Sequence, residues 1–140
     1  MIGLDTNVIV RFLAQDDREQ AAIATRVFAD LSPREPGFVS SIVLAEVSWV
    51  LATSYRVSRE VHGEAIERLL RSTELIIENP EAAYRALALF RSGTSVQFAD
   101  ALIATTGALA GAAETVTFDR LAAREAGMRL LTSGSGEEPS

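Results

Sequence analysis

The 140-residue chain is long enough for one domain that buries roughly two thirds of its unfolded surface, and its 48% hydrophobic and 23% charged content is that of a globular protein. Cysteine is absent, which excludes disulfides, thiolate nucleophiles and zinc–thiolate sites. The net charge of −6 does not exclude a nucleic-acid partner: all thirteen basic residues are arginine, which forks onto phosphate, and divalent cations invert the sign of a carboxylate cluster.

The N-terminal "MIGLDTNVIV" has no basic leader and meets Asp5 early, so a signal peptide is not expected. "MIGL" reads as a short buried strand and "TNVIVRFLA" as a helix that starts at once. Asp16 and Asp17 can cap a second helix through Leu31, with Ala21, Ala24, Val27, Phe28 and Leu31 on one side. "SPREPG" is a loop and "FVS" a brief strand. Ser40 or Ser41 then caps a helix running to about Tyr55, and "RVSRE" turns the chain into another through Arg71, with Val61, Ala65, Leu69 and Leu70 inward. "ELIIEN" is the third strand. Pro80 opens a helix that Gly93 ends, and "VQFADALIATTGALAG" is a mostly apolar helix. "ETVTFD" is a strand, "RLAAREAG" a helix closed by Gly127, and "MRLL" the last strand. Residues 134–140, in "TSGSGEEPS", are small and polar and expected to be disordered.

Strands alternate with helices, and the strands are short apolar runs without clear period-two alternation. That pattern belongs to a parallel sheet covered by helices, a single α/β sandwich. The most apolar runs are broken by Glu46 and Asp100 and fall short of a membrane span, so a soluble cytoplasmic protein is expected.

In an open parallel sheet, ligands bind beyond the carboxyl ends of the strands. Asp5 and Asp119 stand at those ends, Asp100 lies in the first turns of an apolar helix, and Glu46 lies in the first half of "IVLAEVSWVLA". Taken singly, Asp5 and Asp119 read as helix caps, Asp100 as an acid placed near a helix N-terminus, and Glu46 as a surface residue. Taken together they face one rim. Carboxylates alone suit hard divalent cations, which prefer oxygen ligands and activate phosphate hydrolysis. Without metal such acids repel, and at least one is expected to titrate high. His62 is the only histidine, flanked by Glu60 and Glu64, and reads as a solvated helix residue. A two-histidine ribonuclease and an H-E-x-x-H zinc site are therefore excluded. The lack of lysine excludes a Walker A loop, and no dinucleotide fingerprint is present.

The segments "LDTNVIVRFL", "SSIVLAEVSWVL", "FADALIA" and "TFDR", in this order and spacing, resemble the PIN-domain ribonucleases, specifically the VapC-type toxins of toxin–antitoxin pairs. The resemblance implies a three-layer α/β/α sandwich over residues 1–133, with a central, mostly parallel sheet of about five strands. It implies Mg²⁺-dependent endonucleolytic cleavage of RNA, with Mn²⁺ as a substitute, homodimerisation, and neutralisation by a cognate antitoxin in a heterotetramer or larger assembly. Asp5, Glu46, Asp100 and Asp119 match the family's acidic quartet, Asp5 and Asp100 as direct metal ligands. Thr6 and Asn7 match the polar pair that supports the first acid, and Thr117 the hydroxyl residue before the last. Gln97 departs from the pattern, since many relatives carry an acid there. Arg11, Arg56, Arg59 and Arg120 are candidates to line an RNA groove, with plain solvated surface as the alternative. Trp49, Leu51 and Tyr55 are candidates for the antitoxin surface, or for core or dimer interface. A metal-dependent DNA nuclease or phosphatase, and a non-catalytic protein-binding module, are the other readings.

Overall fold

Capping side chains set where most of the helices begin. In the computed structural model, which describes residues 1–133, the chain runs β1 (Ile2–Gly3), α1 (Thr6–Ala14), α2 (Arg18–Ala29), β2 (Gly37–Val39), α3 (Ser41–Thr53), α4 (Arg59–Arg71), β3 (Leu75–Ile77), α5 (Pro80–Ser92), α6 (Phe98–Leu109), β4 (Val116–Thr117), α7 (Arg120–Ala126) and β5 (Arg129–Leu130). Asp17, Ser40, Ser58 and Asn79 each accept a hydrogen bond from the backbone N–H three residues on, the bond that satisfies an otherwise orphan donor of the first turn. Asp5 and Asp119 cap α1 and α7 in the same spirit. Pro80 stands in the first turn of α5, where its missing N–H costs nothing. The expected tail, 134–140, lies outside the described residues.

Among the described residues every strand pairing is parallel, and the architecture is the three-layer α/β/α sandwich that alternating strands and helices demand. The five strands form two ladders, one ordered β1-β2-β3 and one pairing β4 with β5. With two or three residues per strand, each ladder holds few hydrogen bonds, and the packed helices carry much of the structure. β1 departs from its expected burial. Ile2 is 50% exposed and only Leu4 goes into the core, because β1 is a two-residue edge strand with a neighbour on one side. In β3, Leu75 and Ile77 are buried while Ile76 is exposed, as the pleat requires.

The main core joins both halves of the chain, with Ile9, Val39, Leu44, Val47, Ile66, Phe90 and Phe98 among its most buried members. Phe90 and Phe98 meet edge to face, centroids 6.3 Å apart, and each contributes about 1.5–3 kcal/mol by burial. A second cluster of Val96, Ala122, Ala126 and Met128 fastens α7 and the start of β5 beside α6.

The inward stripe of α4 is rotated from its sequence reading. His62, Gly63, Ile66, Leu69 and Leu70 are buried, whereas Val61 is 50% exposed. His62 is therefore not a solvated residue. It is 3% exposed, its Nε2 lies 2.7 Å from the Ser48 hydroxyl, and its ring packs at 4.9 Å from that of Phe90. A neutral imidazole with a hydrogen-bond partner is a tolerable core group, and α3 supplies the partner. Among the described residues no helix is long and apolar enough to cross a membrane.

Candidate metal centre

Two of the four acids are joined through a threonine. Asp5 leaves β1 at its carboxyl end, and its Oδ1 accepts the Thr6 N–H at 2.8 Å, opening α1. The Thr6 hydroxyl in turn donates to Glu46 Oε1 at 2.9 Å, across to α3. Glu46 is an exposed residue of that helix, on the stripe that also carries Ile42 (74% exposed) and Trp49 (56% exposed). Its charge is thus not in the core. It is solvated on one side and anchored to the residue after Asp5 on the other.

The other two acids meet electrostatically. Asp100, half-buried in the first turn of α6, holds its proton more tightly than an ordinary carboxyl, first because burial penalises its charge and second because the Asp119 carboxylate repels it. This is the high-titrating member that clustered acids predict. Asp119 follows β4, and its Oδ1 accepts the N–H groups of Leu121 at 2.8 Å and Ala122 at 3.1 Å. The Thr117 hydroxyl accepts the Asp119 N–H at 3.0 Å, which fixes the turn that presents the acid. Asn7 is exposed and its side chain makes no hydrogen bond among the described residues. Gln97 occupies the N-cap of α6, yet its side chain makes no capping bond.

α3 packs against both α1 and α6, so the pair Asp5–Glu46 and the pair Asp100–Asp119 belong to neighbouring helices. Among the described residues no three Asp, Glu or His side chains are assembled as a group that could hold an ion as they stand. Asp5 and Asp119 each turn one oxygen to a backbone amide, while Oδ2 of each takes no hydrogen bond among the described residues. The donor chemistry fits a hard divalent cation. All four groups offer oxygen, and a cation would relieve the charge that burial and Asp119 impose on Asp100.

Of the four arginines considered for a nucleic-acid groove, two are committed inside the protein. Arg11 donates to Gln20 Oε1 at 2.8 Å and to the Tyr55 hydroxyl at 3.1 Å, and pairs with Asp16 at 3.4 Å. Arg59 donates to the carbonyls of Val96 at 2.8 Å and Phe90 at 2.6 Å, and its guanidinium lies 4.0 Å above the Phe90 ring. Arg56 and Arg120 are exposed, and their guanidinium groups have no bonded partner among the described residues.

One residue near the site escapes a sequence reading. Glu125, in α7, accepts the backbone N–H groups of Thr94 (3.0 Å), Ser95 (2.9 Å) and Val96 (2.8 Å) on Oε1, and the Thr94 hydroxyl (2.9 Å) on Oε2. The Ser95 and Val96 amides and the Thr94 hydroxyl hold its pKa down to about 2. The available signal was its position. An acid in the last turn of a helix opposes the helix dipole and needs a reason to be there.

Residues 2–127 match the PIN domain family. No curated protein and no solved structure matches the chain.

Proposed function

The chain belongs to the PIN domain family, a family of nucleases, and on that premise we propose that it is an endoribonuclease working with a bound divalent cation. The observation that carries this reading is the placement of Asp100, half-buried and facing the charge of Asp119, on α6, which packs on the helix whose Glu46 is joined through Thr6 to the residue after Asp5. Mg²⁺, or Mn²⁺ in its place, would be held by Asp5 and Asp100, with Glu46 and Asp119 completing the acidic set. When bound, the ion supplies positive charge that polarises a scissile phosphate and eases deprotonation of a water.

The chain's own residues prepare that site. Thr6 fixes one oxygen of Glu46 and leaves the other toward solvent, and Thr117 with the α7 amides fixes Asp119. Half-burial of Asp100 makes its negative charge costly until a cation arrives. A histidine pair that would drive attack by the ribose 2′-hydroxyl does not exist, and the single histidine is buried against Ser48. Hydrolysis by water then leaves 5′-phosphate and 3′-hydroxyl ends. Arg56 and Arg120, both unpaired and exposed, are the arginines best placed to meet the RNA backbone.

We read the protein further as the toxin of a type II, VapBC-like pair, a cytoplasmic homodimer neutralised by a cognate antitoxin. Supporting this is the exposed apolar stripe Ile42–Trp49 on α3, with Glu46 between its two members. Of the three residues considered for the antitoxin surface, Trp49 is the one left open. Leu51 is 4% exposed in the core, and Tyr55 is bonded to Asp16 and Arg11.

The test is incubation of the purified protein with single-stranded RNA and with DNA of the same sequence, in Mg²⁺, in Mn²⁺ and in EDTA. RNA cleavage that needs the ion, leaves 5′-phosphates and disappears in Asp5→Asn and Asp100→Asn supports the reading. Cleavage of DNA alone would make it a DNA nuclease, and no cleavage of either would make it a binding module.

A further inference from the structure

α6 carries Asp100 and yet differs from the other helices among the described residues in lacking a side-chain cap of its own. Each of the others begins with a side chain bonded to its first turn, while Gln97 makes no such bond. The segment leading into α6 is gripped from outside instead. Glu125 gathers three consecutive amides, of Thr94, Ser95 and Val96, and also the Thr94 hydroxyl. Arg59 of α4 takes the carbonyls of Phe90 and Val96, the first in the last turns of α5 and the second just ahead of α6. Val96 is therefore held at both its N–H and its C=O. Gly93 makes room for this grip, since a Cβ there would stand 2.6 Å from Glu125 Oε1.

Glu125 also shares α7 with Asp119, which caps the other end of that short helix. One element thus presents one acid of the site and fastens the segment from which another acid follows. We infer that Glu125, assisted by Arg59, is a positioning residue for the nuclease reaction, clamping the segment that leads into α6 so that Asp100 in the first turn of that helix is held in place beside α7. The inference rests on the nuclease reading, and it adds a residue outside the acidic quartet. Its physical logic is that of outer-shell support: carboxylates that bind an ion must be held, and loss of the holding group costs about 10–100-fold in affinity or rate.

The experiment compares wild type with Glu125→Ala, Glu125→Gln and Gly93→Ala in the full chain. Mn²⁺ binding is followed by electron paramagnetic resonance, kcat and KM on single-stranded RNA by cleavage, and the folded fraction by melting. Removal of the carboxylate in Glu125→Ala is expected to weaken Mn²⁺ binding and lower kcat, each by about 10–100-fold, with KM for RNA unchanged. Glu125→Gln keeps an oxygen for the three amides and is expected to recover most of both. Gly93→Ala replaces none of the four site acids but pushes the Glu125 carboxylate aside, so Mn²⁺ binding should weaken there too, which keeps the test alive if Glu125→Ala does not fold. Wild-type Mn²⁺ affinity and kcat in Glu125→Ala and Gly93→Ala overturn the inference, as does a loss that vanishes once scaled to the folded fraction. In those cases the wild type still cleaves RNA and the nuclease reading stands. A wild type that neither binds Mn²⁺ nor cleaves RNA overturns both.

Discussion

Replacing His62 with glutamine should change how stability depends on pH, and by an amount that the burial of the imidazole sets. Burial first, and the positive charge of Arg59 second, push the His62 pKa down from 6.5 to about 4. Over that interval the unfolded chain takes up a proton that the folded protein refuses. The contribution is thus complete above pH 6.5 and is lost as pH falls toward 4. A gap of about 2.5 pH units, at ~1.36 kcal/mol per unit, corresponds to about 3 kcal/mol between the two plateaus. Glutamine can still hydrogen-bond the Ser48 hydroxyl but cannot titrate. The assay is urea unfolding of wild type and His62→Gln at closely spaced pH values between 7.5 and 4. Wild type should start the more stable of the two, because glutamine loses the packing on Phe90, and should then forfeit about 3 kcal/mol more than the variant as the solution is acidified. Parallel curves across this range would refute the reasoning, since they would mean that His62 is equally free to take a proton in both states.

Asp100→Asn should raise the melting temperature of the protein in EDTA at neutral pH while abolishing Mn²⁺ binding, because it removes a half-buried charge that faces Asp119. A fall in melting temperature would count against a crowded pair of acids. Thr6→Val removes the hydrogen bond that ties Glu46 to α1. Stability should drop by about 0.5–1.5 kcal/mol in thermal melts and turnover by about 10-fold, and unchanged turnover would dismiss Thr6 as a support. Arg56→Ala and Arg120→Ala should each raise KM for RNA and flatten its salt dependence with little effect on kcat, whereas Arg11→Ala should chiefly destabilise the junction of α1 with Asp16 and Tyr55.

What the sequence made legible was whatever depends on near neighbours. Ser40, Pro80 and the aspartates ahead of α1, α2 and α7 announce helix starts within a turn, and the serine and aspartates cap the helices found while Pro80 stands in the first turn of α5. The alternation of strand and helix fixes the fold class for the same reason. Asp5 and Asp119 could be read as helix-opening acids past strand ends because strand polarity sends the residues after parallel strands to one rim, whereas Glu46 and Asp100 sit inside helices whose placement depends on packing. What the sequence hid depends on distant partners. His62 looked solvated between two glutamates, because the serine that satisfies it lies on α3, fourteen positions back. Burying it rotates α4 and turns Val61 outward. Glu125 could not be matched with residues 94–96 some thirty positions away, nor Arg59 with Phe90 and Val96. Pairing of such short strands into ladders of three and two likewise depends on how the helices bring them together.

The central claim is that acids from four separate elements act as one divalent-ion site, and anomalous diffraction from crystals soaked in Mn²⁺ tests it most directly. The account predicts a manganese peak in contact with carboxylate oxygens of both Asp5 and Asp100, with Glu46 and Asp119 beside it, and no peak in Asp5→Asn. Manganese bound only elsewhere on the surface, with Asp5 and Asp100 on separate ions or on none, would contradict it.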